Sequence, residues 1–337
     1  MADTSGTPDH ALSRRGVVGT ALVGAAAASS PIALAQGQQP ATARAKGPPV
    51  WLDLDQKALD DAYDQAVYAP NVLDVNKRRA IASAEARKVL GEPQRIAYGE
   101  SAIEKLDIYR SGRTNAPINV FVHGGAWRGG LAKDHAAPAE LFVNHGAHLV
   151  VLDFINVIEA GGDLMPMATQ VQRGIAWVFK NAASFGGNPR RLFISGHSSG
   201  AHLAGVATVT DWEKDWAVPA DIIKGALLCS GMYDLKPVRL SARANYVKFT
   251  DQVEEKLSTQ RHLARLGMPL ILAYGTMETP EFQRQSRDFA AAVKAAGKPA
   301  LLIVGEGYNH FEMPETLASP YGLLGRAVLR QMGLGAA

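Results

Sequence analysis

Residues 191–204 constrain the fold of this chain more than any other stretch. They begin with a short apolar run, which predicts a buried strand, and they end with small and apolar residues at helical spacing. Between the two lies Gly196-His-Ser198-Ser-Gly200. This Gly-x-Ser-x-Gly pattern, between a strand and a helix, is typical of a sharp turn that presents a nucleophilic serine. The sequence therefore predicts Ser198 at the tip of a strained turn, with its hydroxyl facing a cleft.

Apolar strands and helical segments alternate along the rest of the chain. The strands are predicted at residues 94–98, 105–109, 118–122, 148–153, 192–194, 225–230, 269–274 and 300–304. Besides the helix after Ser198, helices are predicted at residues 52–66, 77–90, 164–183, 280–296 and 323–331. Most of the strands are continuously apolar, as in a parallel sheet that helices cover on both faces. We therefore predict an α/β fold with a mainly parallel central sheet.

One domain is predicted for residues 50–337, because no linker rich in Pro and Gly divides them. Residues 232–266 are more charged and less periodic, so we expect them to form a small cap together with residues 50–90. The single cysteine, Cys229, lies in an apolar run and is expected in the core. One cysteine excludes an intrachain disulfide and a cysteine-based zinc site.

Composition and motifs argue against several classes of partner. The net charge is only +3 and no dense Lys/Arg run occurs, which argues against nucleic acid. His145 and His148 lie close in sequence without a carboxylate cluster, and no Gly-x-Gly-x-x-Gly follows the first strand. We therefore expect no metal and no cofactor, and a small molecule as the partner.

Residues 1–35 have the composition of an export signal. Arg14 and Arg15 precede an uncharged run of Gly, Ala and Val, and Ala33-Leu-Ala35 has the small residues that a signal peptidase accepts. The paired arginines resemble a twin-arginine signal, with a Sec-type signal or an anchor as the alternative. The apolar run is too short to span a bilayer stably. We therefore expect a periplasmic or secreted bacterial protein, with a disordered leader at residues 36–49.

A serine hydroxyl needs a base and an orienting acid to act as a nucleophile at neutral pH. Three histidines follow Ser198 in the chain, namely His202, His262 and His310. His202 falls one helical turn after the serine and is expected to pack beside the site. His262 lies in the charged cap segment and is expected to be solvated. His310 follows the last predicted strand, and loops at the carboxyl ends of parallel strands face the cleft, so we predict His310 as the base.

Two carboxylates compete for the role of the orienting acid. Glu278 lies at the tip of the loop after strand 269–274, which gives the chain order Ser, acid, His. Asp234 follows the preceding strand, where it can instead cap a helix or hold a turn. Glu281 falls in the first turn of the next predicted helix, where a carboxylate favours the helix dipole. We predict Glu278 as the acid, and Asp234 remains the alternative.

A glycine pair follows the strand predicted at residues 118–122. Glycines allow backbone N–H groups to turn toward a cleft, so Gly124 and Gly125 are predicted to form an oxyanion hole with the N–H of Ser199. His123 is expected to support this loop. Trp127 is expected to line the acyl pocket or to fill the core.

These segments resemble the α/β-hydrolase superfamily and, more closely, the kynurenine formamidase (arylformamidase)-like esterases, which are neighbours of the hormone-sensitive-lipase-type carboxylesterases. The matching segments are residues 122–127, 185–189, 196–204, 230–235, 278–282, 284–286 and 310–311. The resemblance extends from about Leu52 to the C-terminus. It implies Ser198, Glu278 and His310 as the triad, and Gly124, Gly125 and Ser199 as the oxyanion hole. We also expect four supporting or pocket residues, namely His123, Trp127, His197 and Tyr233.

Two positions depart from this family's pattern. The acid is often Asp, whereas Glu278 stands here, and Ala126 stands where many formamidases have Tyr, which implies a wider acyl pocket. We expect a serine esterase that cleaves carboxylic esters of small to medium apolar substrates through an acyl-enzyme. The alternative hypothesis is an arylformamidase or amidase acting on N-formyl aryl amines. A third hypothesis is a non-catalytic binding protein. The oligomeric state is open, with a homodimer as one option.

Overall fold

The computed structural model describes residues 47–335. The predicted export signal at residues 1–35 and most of the predicted leader at 36–49 lie outside the described residues and stay predictions. No helix between residues 47 and 335 is long and apolar enough to cross a membrane.

One mixed sheet forms the centre of the part of the chain that the structure describes. Its strands are β1 Gln94–Ala97, β2 Lys105–Tyr109, β3 Ala116–Val122, β4 His148–Leu152, β5 Gly187–His197, β6 Ile223–Cys229, β7 Leu270–Gly275 and β8 Ala300–Gly305. They are arranged in the order β1-β2-β4-β3-β5-β6-β7-β8. β2 pairs antiparallel with β1 and β4, and every other neighbouring pair is parallel. This confirms the predicted mainly parallel sheet.

Helices occupy most of the connections between the strands. They are α1 Gln56–Ala62, α2 Val72–Leu90, α3 Ala139–Asn144, α4 Met165–Asn181, α5 Ser199–Thr208, α6 Trp212–Trp216, α7 Leu235–Leu240, α8 Asp251–Leu257, α9 Pro280–Ala295 and α10 Leu323–Gln331. Short 3₁₀ segments lie at Gln65–Tyr68, Ala132–His135, Ala182–Phe185, Ala242–Asn245, Thr259–Arg265 and Met313–Ala318.

Alternate residues of each central strand pack into one of two apolar clusters, one on each face of the sheet. In β4, Val150 and Leu152 join the cluster that contains side chains of α4, α5 and α9. Leu149 and Val151 join the other cluster, which contains side chains of α3 and α10. Because both faces are covered, the central strands are apolar on both sides, and this is the pattern the sequence shows.

The predicted helix at residues 52–66 is divided in the structure. Asp55 accepts a hydrogen bond from the Ala58 N–H (2.9 Å) at the start of α1, and Asp64 accepts one from the Ala66 N–H (3.0 Å) at the start of the next 3₁₀ segment. Asp side chains favour such caps over helix interiors, so the second aspartate begins a new turn.

Four short helices, α3, α6, α7 and α8, were not predicted. They contain six, five, six and seven residues respectively, which is too short for a clear apolar period. Two of them, α7 and α8, lie in the segment predicted to form a cap. This segment contacts the N-terminal helix, because the Ala242 N–H donates to Asp60 (2.6 Å).

Candidate active site

Ser198 lies between the last residue of β5 and the first residue of α5. Its backbone has φ 58° and ψ −126°, a conformation that is strained for a residue with a side chain. The Ser198 N–H donates to the Cys229 carbonyl (2.9 Å), which ties the turn to the neighbouring strand. A Cβ at Gly200 would collide with the backbone carbonyls of Val122 and His123. The second glycine of the Gly-x-Ser-x-Gly pattern thus allows α5 to pack closely against the end of β3.

Three loops at the carboxyl ends of β5, β7 and β8 bring Ser198, Glu278 and His310 together. The Ser198 Oγ lies 2.8 Å from His310 Nε2, and His310 Nδ1 lies 2.8 Å from Glu278 Oε2. All three side chains are buried. A hydroxyl, an imidazole and a carboxylate in this sequence of contacts form a nucleophile, a base and an orienting acid.

The His310 imidazole is held neutral and correctly oriented. Burial lowers its pKa well below the ordinary value, and the charges of Arg243 and Arg79 add to this effect. A neutral imidazole can accept the proton of the serine hydroxyl. The neighbouring His197 donates from Nε2 to the His310 carbonyl (2.9 Å), which holds the His310 loop against the turn. His197 is therefore a supporting residue by its contacts.

Glu278 accepts two hydrogen bonds besides the one from His310. The Ser230 hydroxyl (2.6 Å) and the Gly275 N–H (2.7 Å) both donate to its Oε1. Burial raises the pKa of Glu278 to about 7, and these two donors oppose the rise because they stabilise the ionised form. The sequence reasoning missed Ser230, which follows β6 and has φ 56°. In the sequence it stands at the end of a predicted strand and at the start of the matching segment 230–235, and neither position indicates a contact with Glu278.

We expect Ser230→Ala to move the acid limb of the kcat/KM pH profile upward by about one pH unit. The Ser230 hydroxyl lowers the pKa of Glu278, so its removal raises that pKa. The carboxylate then becomes protonated at a higher pH as the solution is acidified, and activity that needs the ionised acid is lost earlier. The measurement is kcat/KM on one ester between pH 5 and 9.

The matched control for Ser230→Ala is Ser286→Ala. Ser286 is also fully buried, and its hydroxyl has no partner within residues 47–335. We expect the control to keep the wild-type profile. An acid limb that is identical in Ser230→Ala and wild type would show that Ser230 does not tune Glu278.

Asp234, the alternative acid, lies elsewhere. Its carboxylate accepts from the Lys236 N–H (3.1 Å) at the start of α7, and it faces Arg261 at 3.7 Å. Glu281 accepts from the Tyr63 hydroxyl (2.9 Å) and pairs with Arg284. The structure therefore brings only Glu278, of these three described carboxylates, to His310.

The glycine loop after β3 lies directly against the serine turn. A Cβ at Gly124 would come within 3.1 Å of the Ser198 Cβ. The Trp127 N–H donates to the Ser199 Oγ (3.1 Å), and His123 Nδ1 donates to the Gly124 carbonyl (2.9 Å). These two contacts fix the loop beside the nucleophile, and His123 supports it from within.

Three backbone N–H groups at this junction are unused. Those of Gly124, Gly125 and Ser199 donate to no acceptor within the described residues. The loop reaches this conformation through successive positive φ values at Gly125 (126°), Ala126 (53°) and Trp127 (62°). Unused donors held by a strained backbone are what a hole for a developing oxyanion requires.

Trp127 fills the core behind the loop rather than the cleft. It is 1% exposed, and its indole N–H donates to His202 Nδ1 (3.2 Å). His202 in turn donates from Nε2 to the Leu257 carbonyl (3.0 Å), and burial lowers the pKa of His202 to about 4. Tyr233 is also a core residue, stacked on Phe289 at 4.3 Å between ring centroids.

The remaining downstream histidine is also outside the cleft. His262 is partly exposed and donates from Nε2 to the Glu255 carbonyl (2.8 Å). Neither the His202 imidazole nor the His262 imidazole is therefore hydrogen-bonded to the Ser198 hydroxyl.

A cleft of about 650 Å³ opens onto Ser198 and His310. Residues from α1, α2, the glycine loop and the 3₁₀ segment Ala242–Asn245 form its wall. The charged residues of this wall are Asp60, Asp64, Arg79, Arg128 and Arg243. Within residues 47–335, no group of three or more His, Cys, Asp or Glu side chains is placed to hold a metal ion.

The family model described as BD-FAE matches residues 106–248. Kynurenine formamidase from Danio rerio is 30% identical over 297 residues, which cover 84% of this chain and 98% of that protein. Isoprenylcysteine alpha-carbonyl methylesterase from Arabidopsis thaliana is 28% identical over 243 residues, which cover 65% of this chain and 56% of that protein.

Solved structures resemble the fold as well. A thermophilic esterase from Thermogutta terrifontis matches with a TM-score of 0.61 at 22% identity, covering 73% of this chain and 95% of the esterase. An esterase from Pyrobaculum calidifontis matches with a TM-score of 0.61 at 18% identity, and the match covers 83% of this chain and 98% of that esterase. At these identities the likeness bears on the fold alone, and it confirms the predicted fold class.

Proposed function

Because the chain belongs to the kynurenine formamidase family of α/β-hydrolases and is a hydrolase of that type, we propose that it cleaves carboxylic esters through an acyl-enzyme. The proposed substrates are esters of small to medium compounds. The observation that carries this proposal is the continuous set of contacts from Ser198 through His310 to Glu278, at 2.8 Å each.

The first half-reaction forms the acyl-enzyme. Ser198 Oγ attacks the carbonyl carbon while its proton passes to His310 Nε2, and Glu278 stabilises the imidazolium at Nδ1. The oxyanion of the tetrahedral intermediate accepts hydrogen bonds from the N–H groups of Gly124, Gly125 and Ser199. The intermediate collapses as His310 donates its proton to the leaving oxygen, which releases the alcohol.

The second half-reaction uses water as the nucleophile. His310, neutral again, takes one proton from the water as its oxygen attacks the acyl carbon. The same N–H groups hold the second oxyanion. His310 then returns the proton to Ser198 Oγ, and the carboxylic acid leaves.

Arylformamide hydrolysis is the second candidate function. The match to the Danio rerio kynurenine formamidase covers 98% of that protein, whereas the match to the Arabidopsis thaliana methylesterase covers 56% of that enzyme. The same residues serve this chemistry, with the proton from His310 going to a leaving nitrogen.

A parallel assay separates the two candidates. We would measure kcat/KM of the chain from Gln36 onward on phenyl acetate and on N-formylkynurenine. A higher kcat/KM on the ester supports the esterase proposal, and a higher value on the formamide moves the assignment to the formamidase. No turnover of either substrate by a folded protein would contradict both candidates.

We also propose that residues 1–35 direct export through the twin-arginine route, on the basis of Arg14, Arg15 and the uncharged run after them. The full chain is expected in the periplasmic fraction of a bacterial host. Replacing both arginines by lysine should retain it in the cytoplasm. Unchanged periplasmic yield of this double variant would exclude the twin-arginine route.

A further inference from the structure

The cleft beside Ser198 is lined by three arginines that have no anionic partner. Arg79 comes from α2, Arg128 from the loop after β3, and Arg243 from the 3₁₀ segment Ala242–Asn245. Among the described residues, none of the three takes part in an ion pair. Three guanidinium groups without a carboxylate partner therefore line the same cleft.

Arg243 is the most constrained of the three. It is only 8% exposed, and it donates to the Tyr63 carbonyl (2.9 Å) and to the Tyr246 hydroxyl (2.9 Å). Its Nε is buried and has no hydrogen-bond partner within residues 47–335. Burial of a positive charge without an anion is unfavourable, and such groups in proteins are normally paired.

Aromatic rings place Arg243 one ring away from the catalytic imidazole. The guanidinium lies over Phe282 with its carbon 5.9 Å from the ring centroid, and the same ring packs against His310 at 5.0 Å between centroids. Trp127 supports the guanidinium from another side at 5.4 Å. The charge of Arg243 also contributes to the lowered pKa of His310, which agrees with this short separation.

The other charges of the cleft do not neutralise Arg243. Asp60 accepts from the Ala242 N–H (2.6 Å) and the Gln56 side chain (2.9 Å), and Asp64 caps its own 3₁₀ turn. Arg128, at the exposed rim, lies 4.6 Å from the ring centroid of Tyr246, whose hydroxyl accepts from Arg243. Arg243 is therefore a buried cation in the wall of the cleft, and Arg128 is a second cation at its rim. Tyr246 contacts both of them.

We propose that Arg243, assisted by Arg128 and Arg79, forms a carboxylate subsite, so that the substrates of this enzyme are esters that carry a carboxylate on one side of the scissile bond. This inference rests on the proposed serine hydrolase function. A guanidinium presents a planar set of donors that matches a carboxylate. The carboxylate would supply the missing counter-charge of Arg243 while the scissile carbonyl lies at Ser198.

The test compares matched substrates that differ in one charge. The acyl-side pair is 4-nitrophenyl hemiglutarate and its neutral methyl ester. The leaving-group pair is 3-acetoxybenzoate and its methyl ester, followed by acetate release. In at least one pair we expect the carboxylate to have a kcat/KM at least tenfold higher, mainly through a lower KM, and the pair that responds identifies the side of the scissile bond that faces Arg243.

Variants assign this preference to Arg243. Arg243→Met should reduce the ratio of kcat/KM within the responding pair to about twofold or less, because a full counter-charge is lost. Arg190→Met is the matched control, since Arg190 is exposed on β5, at the end of the sheet opposite Ser198. It should keep the wild-type ratio. Arg243→Lys, which keeps the charge but not the planar donors, should give an intermediate ratio and serves if Arg243→Met does not fold.

Three results would overturn the carboxylate subsite. They are a wild-type ratio below twofold in both pairs, a folded Arg243→Met with the wild-type ratio, or an Arg243→Lys with the wild-type ratio. In each case turnover of the neutral esters would leave the proposed serine hydrolase intact. If wild type hydrolyses none of the four compounds, the proposed function itself fails.

Discussion

Ser198→Ala is expected to lower kcat/KM on a small ester by about 10⁵-fold or more. The Ser198 Oγ is the atom that bonds to the acyl carbon, and it lies 2.8 Å from the only described imidazole in its reach, His310 Nε2. Alanine fits the strained turn no worse than serine, because both carry a Cβ at φ 58°. The loss should therefore appear in activity and leave the free energy of unfolding within about 0.5 kcal/mol of wild type.

The measurement is initial-rate hydrolysis together with urea unfolding of the same preparations. Ser184→Ala is the control, because Ser184 is exposed and donates only to the Asn181 carbonyl (2.8 Å). We expect the control to retain wild-type activity. Substantial esterase activity in folded Ser198→Ala would assign the chemistry to another residue.

Glu278→Gln is expected to lower kcat by about 10⁴-fold. The amide has nearly the same shape, but it carries no charge to stabilise the imidazolium of His310. It also cannot accept with both oxygens from the three donors that surround Glu278, namely Ser230, Gly275 and His310. The measurement is kcat at saturating ester at pH 8, where the wild-type carboxylate is ionised because its pKa is about 7.

Asp234→Asn is the matched control for the acid. Asp234 caps α7 and faces Arg261, and asparagine caps a helix as well as aspartate does, so the amide variant should keep kcat within about twofold and lose only about 0.5 kcal/mol of stability with the Arg261 contact. The reverse pattern, a large loss of kcat in Asp234→Asn and a small one in Glu278→Gln, would transfer the role of the acid to Asp234.

The residues at the centre of the site were predictable because the sheet topology restricts where they can lie. A nucleophile turn, an acid and a base on loops after neighbouring parallel strands of one sheet, here β5, β7 and β8, must lie at the same edge of that sheet. The structure places Ser198, Glu278 and His310 there, at contact distances. The glycine loop was predictable for the same reason, since it follows β3, which pairs with β5.

The supporting contacts were not predictable, because they depend on side chains that meet only in the folded chain. Ser230 reaches Glu278 across the ends of two strands, 48 positions apart in the sequence. Arg243 lies in a segment without an apolar period, where its burial under Tyr63 and Tyr246 leaves no sequence pattern. The same lack of periodicity concealed α7 and α8. The first predicted helix is divided because Asp55 caps α1 and Asp64 caps a separate 3₁₀ turn.

The most direct test of the central claim is peptide mapping of the folded chain after reaction with a fluorophosphonate. The reagent forms a covalent phosphonyl ester only with a serine that a neighbouring base activates. We predict one modified peptide, with the adduct on Ser198, and complete loss of ester hydrolysis in step with labelling. A folded protein that stays unlabelled, or that is labelled at another residue while Ser198 remains free, would contradict the account and favour a non-catalytic binding protein or a different nucleophile.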